Sequence, residues 1–303
     1  MRLNVCRVYT SACILCACTF FILCATPAKS SELPLASIYA AVAPLGSTET
    51  LYARRSEEVV PIASLTKLMT ALVILQSGLS LDEQLQVNRI GNTFGKNSPS
   101  RLRPGTRISR KDLLRMSLMS SENLASYTLA EKYPGGVEAF VSAMNATAAL
   151  LGMTQTRFTD PTGLSPDNVS TAEDLLILAA ATFQYPIIRD LSVQGQADLH
   201  FRSPSYALAY TNTNPLTRNS NWNVLLSKTG FLVESGRCLV MVADINGEPI
   251  TMVLLDSSGR RTPIGDVGRV NRWLRGEAPG DVPASAIEYA NGRLALQQGL
   301  SAD

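Results

Sequence analysis

The stretch PIASLTKLMTALVILQ, residues 61–76, decides the fold and the chemistry that we expect of this chain. Apolar residues occupy nearly every position after Lys67, and a helix that is apolar on all sides is a buried one. Ser64 and Lys67 lie three residues apart, so they share one face across a single turn. Burial disfavours the charged form of a lysine, so Lys67 can accept the hydroxyl proton of Ser64 and make it a nucleophile. The segment therefore predicts a buried helix with a Ser-Lys pair at its start.

Patterns typical of β-strands lie on both sides of this helix, near the two ends of the chain. The segments that predict strands are 37–44, 50–54, 222–227, 237–245 and 250–256. The first two predict a hairpin, and Asn246-Gly247 between the last two is a strong signal for a two-residue hairpin turn. Strands from both ends of a chain that enclose a helical middle predict one antiparallel sheet.

The middle of the chain follows a helical period instead. Ser109 and Thr171 are predicted helix caps, each followed by apolar residues at helical spacing. Thr262 and Pro263 predict the start of a last helix, as its cap and its first-turn proline. We therefore expect an α/β fold of the α+β kind, in which an antiparallel β-sheet is flanked by helices and an all-helical subdomain is inserted at about residues 79–200.

The composition of the 303 residues excludes several classes of protein. Apolar residues make up 46% and charged residues 17%, which is an ordinary globular balance and excludes wholesale disorder. The 27 basic and 25 acidic residues nearly cancel, which argues against a nucleic-acid partner. Because His200 is the one histidine, a His-rich metal site is excluded, and we expect neither a metal nor a cofactor.

The first 28 residues predict a secretory signal peptide. Arg2 and Arg7 precede an apolar stretch at residues 8–25, and small residues then lead to a cleavage site after Ala28. Two alternatives stay open. One is an uncleaved membrane anchor, because the apolar stretch is nearly long enough to span a bilayer, and the other is a lipoprotein signal at Cys18. We expect an exported, periplasmic protein.

The cysteines agree with an exported domain that has no internal disulfide. Five of the six lie in the first segment, and only Cys238 remains, within an apolar stretch. A lone cysteine in a predicted strand is most often an inert core residue. The domain, at about residues 31–277, must therefore be stable through its core alone. Residues 278–303 are predicted to be a short tail, too small to fold as a domain.

Two further motifs contain groups that can act together with Ser64 and Lys67. Ser121-Glu122-Asn123 places a hydroxyl and a carboxamide two residues apart, between two helical stretches. Lys228-Thr229-Gly230 closes a predicted strand, where the lysine can meet a carboxylate, the threonine can hydrogen-bond it and the glycine lets a substrate backbone approach. Taken singly, each motif has a plainer explanation, with Ser121 as a helix cap and Lys228 as a solvated lysine in an edge-strand turn.

The combination of the three motifs carries more information than any one of them. S-x-x-K, S-x-N and K-T-G occur once each, in this order. The same set, as S-x-x-K, S-D-N and K-T-G, marks class A β-lactamases and penicillin-binding proteins. The chain resembles the low-molecular-mass penicillin-binding proteins, the serine D-alanyl-D-alanine peptidases of peptidoglycan, and most closely their D-alanyl-D-alanine endopeptidase branch. The resemblance extends from about residue 37 to residue 275 and rests on the strings SLTKLMT (64–70), LMSSEN (118–123), YPGG (133–136), AMNA (143–146), DPTGL (160–164), TNTN (211–214), KTG (228–230) and GRCLVM (236–241).

The resemblance implies a β-lactamase/transpeptidase-like fold and a catalytic role for the first two motifs. Ser64 would attack the carbonyl of a D-Ala residue and form an acyl-enzyme, and Lys67 would accept its proton. Ser121 would relay the proton toward the leaving amine. Asn123 would orient Lys67 and the substrate amide. Water would then hydrolyse the ester, with no cofactor.

The resemblance also implies how the substrate is bound. Lys228 and Thr229 would hold its carboxylate beside Gly230, and the backbone N–H groups of Ser64 and Phe231 would form the oxyanion hole. The implied partners are the stem peptides and cross-links of peptidoglycan, with β-lactams as inhibitors, a weak association with other wall enzymes and no nucleic acid. The oligomeric state does not follow from the sequence.

Three alternatives to an endopeptidase stay open. A D-alanyl-D-alanine carboxypeptidase shares the motifs, but carboxypeptidases of this kind usually carry a second, β-rich domain, for which the residues after about 277 are too few. A class A β-lactamase needs a glutamate that activates the deacylating water, and the nearest candidate, Glu173, lies in a predicted first helical turn where acids are stabilising anyway. A wall-peptide binding module without catalysis would not need the complete set of motif residues.

Overall fold

The structure, a computed structural model, describes residues 33–47, 49–88 and 100–299. The predicted signal peptide, residues 1–28, lies outside these described residues. Within the described residues, no helix is both long enough and apolar enough to cross a membrane.

Strands from both ends of the described chain form one central sheet. The strands are β1 (Tyr39–Pro44), β2 (Tyr52–Arg54), β3 (Val60–Pro61), β4 (Gln84–Gln86), β5 (Arg107–Ser109), β6 (Val169–Ser170), β7 (Gln196–Arg202), β8 (Ser205–Thr211), β9 (Val224–Leu232), β10 (Gly236–Ile245) and β11 (Glu248–Ser257). Five of them form an antiparallel sheet in the order β2-β1-β11-β10-β9, with Tyr39 opposite Leu255. The predicted antiparallel sheet is confirmed, and β9 is one of its edges.

The helices follow the predicted signals closely. They are α1 (Thr66–Gln76), α2 (Arg110–Met119), α3 (Asn123–Glu131), α4 (Gly136–Leu150), α5 (Ala172–Phe183), α6 (Pro186–Val193), α7 (Thr262–Leu274) and α8 (Ala284–Gln297). The predicted caps Ser109 and Thr171 accept hydrogen bonds from the N–H groups of Asp112 and Asp174, at the starts of α2 and α5. Nine of the eleven residues of α1 are buried, as its apolar sequence predicts.

Two apolar cores lie on opposite faces of the central sheet, because successive side chains of a strand point to opposite sides. On β10, Val240 belongs to the larger core, which includes α1, α2 and α5. Its neighbour Leu239 belongs to the smaller core, in which Val267 and Val270 of α7 pack. The sheet is therefore covered by helices on both faces, and the predicted α/β architecture is confirmed.

The helix that carries Lys67 begins later than the sequence indicates. Pro61 is held in an extended conformation by the pairing of β3 with β6 and does not enter the helix. Ala63–Leu65 form a short 3₁₀ helix, and α1 starts at Thr66. Consequently Ser64 lies in the 3₁₀ turn, whereas Lys67 lies in the first turn of α1.

The predicted all-helical subdomain, at about residues 79–200, is mainly helical but also contains the two-stranded sheet β4-β5, and the two-stranded sheet β7-β8 begins at its end. In β7 the alternation buries Leu199 and Phe201, and the ring of Phe201 stacks on Tyr206 of β8 with centroids 4.4 Å apart. Polar residues alternate with these apolar positions, which is the period-two pattern typical of a strand, and the prediction of helix to about residue 200 overlooked it.

The chain after β11 also differs from the expectation in two details. Thr262 is the first residue of α7, and Arg261 occupies the cap position. The Thr262 hydroxyl instead accepts a hydrogen bond from the N–H of Gly259 at 3.0 Å. The predicted tail, residues 278–303, contains α8, in which Ala286 and Ala290 are buried and Ala290 belongs to the larger core.

Candidate active site

The candidate nucleophile lies on a strained turn between β3 and α1. Ala63, immediately before Ser64, has a φ of +47°, a left-handed conformation that is uncommon for a residue with a side chain. The Thr66 hydroxyl donates to the Ala63 carbonyl at 2.8 Å and thereby stabilises this turn. Ser64 itself is half-buried. Such local strain is often found where a reactive group is presented to a cleft.

Lys67 is wholly buried and lies within hydrogen-bond distance of three oxygen atoms. Its Nζ atom lies 2.9 Å from Ser64 Oγ, 2.7 Å from Asn123 Oδ1 and 2.5 Å from the Thr162 carbonyl oxygen. Burial lowers the pKa of Lys67 to about 7, although the carboxylates of Asp160 and Glu122 act in the opposite direction. Near neutral pH a large fraction of Lys67 is therefore unprotonated beside the Ser64 hydroxyl.

Ser121 lies in the tight turn between α2 and α3, with a φ of +60°. The plainer explanation of this serine as a helix cap does not hold, because Glu122 is the cap of α3 and accepts from the N–H of Leu124 at 3.3 Å. The Ser121 side chain is thus available for another contact. Asn123, the first residue of α3, is placed by the same turn with its carboxamide oxygen on Lys67.

Lys228 approaches Ser121 from the central sheet. It is 1% exposed, and its Nζ atom donates to Ser121 Oγ at 3.0 Å and to its neighbour's carbonyl, that of Thr229, at 2.7 Å. Burial, together with the nearby charge of Lys67, holds the pKa of Lys228 well below its usual range. The alternative of a solvated lysine in an edge-strand turn does not describe this side chain, and its partner is a hydroxyl of the second motif.

Strand β9 is longer than predicted and continues through Lys228-Thr229-Gly230 to Leu232. The next side chain after Lys228 points to the other face of the strand. There the Thr229 hydroxyl donates to the hydroxyl of Thr213 at 2.7 Å, an exposed pair beside the buried lysine. Thr213 was not singled out by the sequence beyond the TNTN string that contains it.

Gly230 brings β9 against the turn that carries the nucleophile. A Cβ atom on Gly230 would lie 3.1 Å from the backbone N of Ser64 and 3.1 Å from the carbonyl oxygen of Ile62, closer than side chains normally pack. The sequence indicated that this glycine admits a substrate backbone; in the structure its immediate neighbour is the Ser64 turn. Phe231 follows, and its ring is half-exposed. The Arg237 guanidinium stacks on this ring, 3.7 Å from its centroid.

The loop at residues 160–168 closes the site behind Lys67, and no role was predicted for its polar residues. Asp160 accepts hydrogen bonds from the N–H groups of Thr162, Gly163 and Ser165 at 2.6–2.9 Å, which orients the Thr162 carbonyl. Asn168, fully buried, ties this loop to α1 through a hydrogen bond to the Thr66 hydroxyl at 3.0 Å. The DPTGL string was the one signal for this loop.

Other residues singled out in the sequence lie apart from these contacts. Glu173 accepts from the Ser56 hydroxyl at 2.7 Å in the first turn of α5, as a helix-start acid would. Cys238 is buried in β10, where burial raises the pKa of its thiol to about 12, so it behaves as the predicted inert core residue. His200 is exposed on β7. Among the described residues, no cluster of histidine, cysteine or acidic side chains could hold a metal ion.

The fold and these contacts define a class of enzyme: a serine acyl-transfer enzyme that has a lysine, rather than a histidine, beside the candidate nucleophile. The sequence model of the D-alanyl-D-alanine carboxypeptidase family, peptidase family S11, matches residues 28–259. The chain therefore belongs to this family of serine peptidases.

Two relatives in the family and two solved structures are similar to most of the chain. It is 46% identical to the D-alanyl-D-alanine endopeptidase of Pseudomonas aeruginosa over 269 residues, and this match covers 88% of this chain and 87% of that protein. It is 44% identical over 271 residues to the D-alanyl-D-alanine endopeptidase of Escherichia coli, with 89% and 87% covered. Penicillin-binding protein D2 of Listeria monocytogenes, in its cefotaxime-bound form, is 28% identical with a TM-score of 0.71, over 80% of this chain and 98% of that one. The Streptomyces K15 DD-transpeptidase, at 23% identity and a TM-score of 0.71 over 86% and 98%, shares the fold.

Proposed function

We propose that this protein is a serine D-alanyl-D-alanine endopeptidase, which hydrolyses the peptide cross-links of peptidoglycan through an acyl-enzyme on Ser64. The observation that carries the proposal is the buried Lys67, whose Nζ lies 2.9 Å from Ser64 Oγ and 2.7 Å from Asn123 Oδ1. The names of the two relatives at 46% and 44% identity support the endopeptidase branch. This assignment also accounts for the other motif residues.

Acylation begins when Ser64 Oγ attacks the carbonyl carbon of a D-Ala residue. The Ser64 proton moves to the neutral Nζ of Lys67, and the backbone N–H groups of Ser64 and Phe231 stabilise the oxyanion. The C–N bond then breaks. Ser121 donates a proton to the departing amine and recovers one from the protonated Lys67. The products of this step are an ester on Ser64 and a free amino group on the leaving peptide.

Deacylation uses the same groups in the reverse direction. A water molecule attacks the ester carbonyl and gives a proton to Lys67, which returns a proton to Ser64 Oγ as the C–O bond breaks. Asn123 keeps the Lys67 side chain in place through both steps. The products are a free D-Ala carboxylate on one stem peptide and a free amine on the other.

Substrate recognition is assigned to the KTG strand. The carboxylate next to the scissile amide binds at the exposed hydroxyl of Thr229, and Thr213 lies 2.7 Å away to share it. Lys228 orients Ser121 from its buried position, and the negative charge of a bound carboxylate would favour the protonated form of this lysine. Gly230 keeps β9 close enough to Ser64 for both N–H groups of the oxyanion hole to reach one oxygen.

The proposal extends to the setting in which the protein acts. Residues 1–28 direct its export to the periplasm, where its substrates are the stem peptides and cross-links of peptidoglycan. β-Lactams acylate Ser64 as substrate analogues, in line with the cefotaxime-bound form of the Listeria relative. Weak association with other wall enzymes belongs to the same proposal.

A D-alanyl-D-alanine carboxypeptidase is the second candidate, favoured by the name of the matching family. Purified protein should be given cross-linked dimeric muropeptides and pentapeptide monomers, with Ser64→Ala as the inactive control. We expect a higher kcat/KM for the conversion of dimers to monomers than for the removal of terminal D-Ala. A higher kcat/KM on pentapeptides, with dimers untouched, would assign the protein as a carboxypeptidase.

A further inference from the structure

The C-terminal helix α8 is joined to the end of β11 through a buried carboxylate. Tyr289 and Arg293 lie one helical turn apart on the same face of α8. The Tyr289 hydroxyl donates to Asp256 Oδ1 at 2.6 Å, and Arg293 Nε donates to Asp256 Oδ2 at 3.0 Å. Asp256 is 3% exposed and has a φ of +52°. A buried carboxylate with two donors in this conformation is a specific anchor for the helix.

Arg293 reaches beyond this carboxylate to the turn between β9 and β10. Its guanidinium also donates to the carbonyl oxygens of Glu234 and Val233, the latter at 3.5 Å. One side chain therefore connects α8, β11 and the β9-β10 turn. The planar guanidinium can do this because it presents several donors in a fixed geometry.

The turn is shaped to receive this contact. Gly236 has a φ of +58°, and a Cβ atom there would overlap Asp256 Oδ1 and lie 2.7 Å from the Tyr289 hydroxyl. Only a glycine lets the carboxylate and the phenol come so close. Within the turn, the hydroxyl of Ser235 accepts from the N–H of Leu232 at 3.0 Å, which fixes the last residue of β9.

The β9-β10 turn, which Arg293 holds, lies just beyond Phe231, whose N–H group is assigned to the oxyanion hole. Phe231 pairs with Arg237 directly before the turn, and β9 is an edge strand of the central sheet. On its free side, Gly230 lies against the backbone N of Ser64. A small lateral displacement of β9 would therefore change the separation of the two N–H groups that bind the oxyanion, and such displacements reduce stabilisation of the transition state.

We propose that Arg293, held by Asp256, is a positioning residue for acylation: it fixes the β9-β10 turn and thereby the distance between the Phe231 and Ser64 N–H groups. The inference rests on the proposed function, because it assigns the oxyanion hole to these two groups. It gives α8 a part in catalysis although the helix contributes no group to the reaction.

The test compares Arg293→Met with the matched control Arg272→Met. Arg272 also ties the C-terminal segment to the domain, through the Pro279 carbonyl at 2.9 Å, but its hydrogen bonds do not involve the β9-β10 turn. Rapid-mixing kinetics with benzylpenicillin would separate the maximal acylation rate from the dissociation constant, and thermal unfolding would report stability. Arg293→Met should lower the maximal acylation rate about fivefold to tenfold and change the dissociation constant less than about twofold.

Arg272→Met should lower the melting temperature while changing the acylation rate less than about twofold. Arg293→Lys keeps a positive charge beside Asp256 but loses the guanidinium hydrogen bonds to the carbonyls of the β9-β10 turn. It should therefore retain stability and still acylate slowly. Equal acylation rates in the Arg293→Met and Arg272→Met variants would overturn the inference about Arg293. The proposed function would still stand in that case, provided that benzylpenicillin acylates the wild type. A wild type that benzylpenicillin does not acylate would overturn the proposed function itself.

Discussion

Lys228 donates a hydrogen bond to Ser121 over 3.0 Å from a position that is closed to solvent. The two residues come from distant parts of the chain, one on a strand of the central sheet and one in a turn of the helical region. A buried lysine amino group that donates to a catalytic hydroxyl orients that hydroxyl and, when protonated, stabilises negative charge that develops on it. The second and third motifs therefore act as one unit.

This contact predicts that mutations of the two residues are not additive. Lys228→Gln and Ser121→Ala should each slow acylation by about 10- to 100-fold, because each removes the oriented proton donor. The double variant should be no slower than the worse single variant. Second-order acylation rates with benzylpenicillin for the four proteins provide the measurement. If the two effects multiply, Lys228 acts independently of Ser121, for example by direct contact with the substrate carboxylate.

The pH dependence of acylation should report the buried lysines. Because burial lowers the pKa of Lys67 to about 7, the base is lost as the pH falls below that value. The acylation rate should therefore rise through an apparent pKa near 7 and fall about tenfold per pH unit below it. Lys67 and Lys228 repel each other, so this apparent value belongs to the pair. A rate that is flat between pH 5 and pH 9, about two units on either side of this pKa, would exclude Lys67 as the base.

Arginine should not replace Lys67. A guanidinium stays protonated at every relevant pH and cannot take the Ser64 proton. Lys67→Arg should reduce the acylation rate by about 10³-fold or more while the circular dichroism spectrum remains native. Near-normal acylation of this variant would contradict the proposed proton transfer.

Gly230→Ala should impair catalysis more than stability. The added Cβ would lie 3.1 Å from the backbone N of Ser64, so β9 must move away from the nucleophile turn. We expect acylation to slow by about tenfold or more. Gly268→Ala in α7 is the matched control, because its nearest contact would be an ordinary 3.6 Å and alanine favours the helix. Equal acylation rates of the two variants would show that the close approach at Gly230 is dispensable.

Asn168 should be a major contributor to stability. Its side chain is fully buried; the carboxamide oxygen accepts from the N–H groups of Thr159 and Asp160, and the amide nitrogen donates to the buried Thr66 hydroxyl. Asn168→Ala should lower the free energy of unfolding by about 2–4 kcal/mol, since several buried polar groups lose their partner. Denaturant unfolding measures this, with the exposed Asn291→Ala expected within about 0.5 kcal/mol of wild type. A similarly small change at Asn168 would mean that water replaces its contacts.

The sequence was sufficient to predict the sheet, most of the helices and the three motifs. Alternation, caps and the Asn246-Gly247 turn are local signals, and local signals do not depend on distant contacts. The start of α1 was placed too early because Pro61 pairs with β6, a partner more than a hundred residues away. The carbonyl of Thr162 on Lys67 was not foreseen for the same reason, since a backbone oxygen leaves no mark on the sequence.

The positions of charged side chains were harder to predict than the elements that carry them. Lys228 was expected to meet a carboxylate, but its direction depends on how far β9 continues past Ser227, which only the pairing with β10 determines. The tail was predicted to be too small to fold as a domain, and no helix was predicted within it. Its helix α8 is held by Asp256, whose partners Tyr289 and Arg293 cannot be inferred from periodicity.

The most direct test of the account is the mass of the intact protein after incubation with benzylpenicillin, followed by peptide mapping. The account predicts one covalent adduct per wild-type chain, on the peptide that contains Ser64, and no adduct on a folded Ser64→Ala variant. An adduct that persists in Ser64→Ala, or that maps to another residue, would contradict the assignment of Ser64 as the acylated nucleophile.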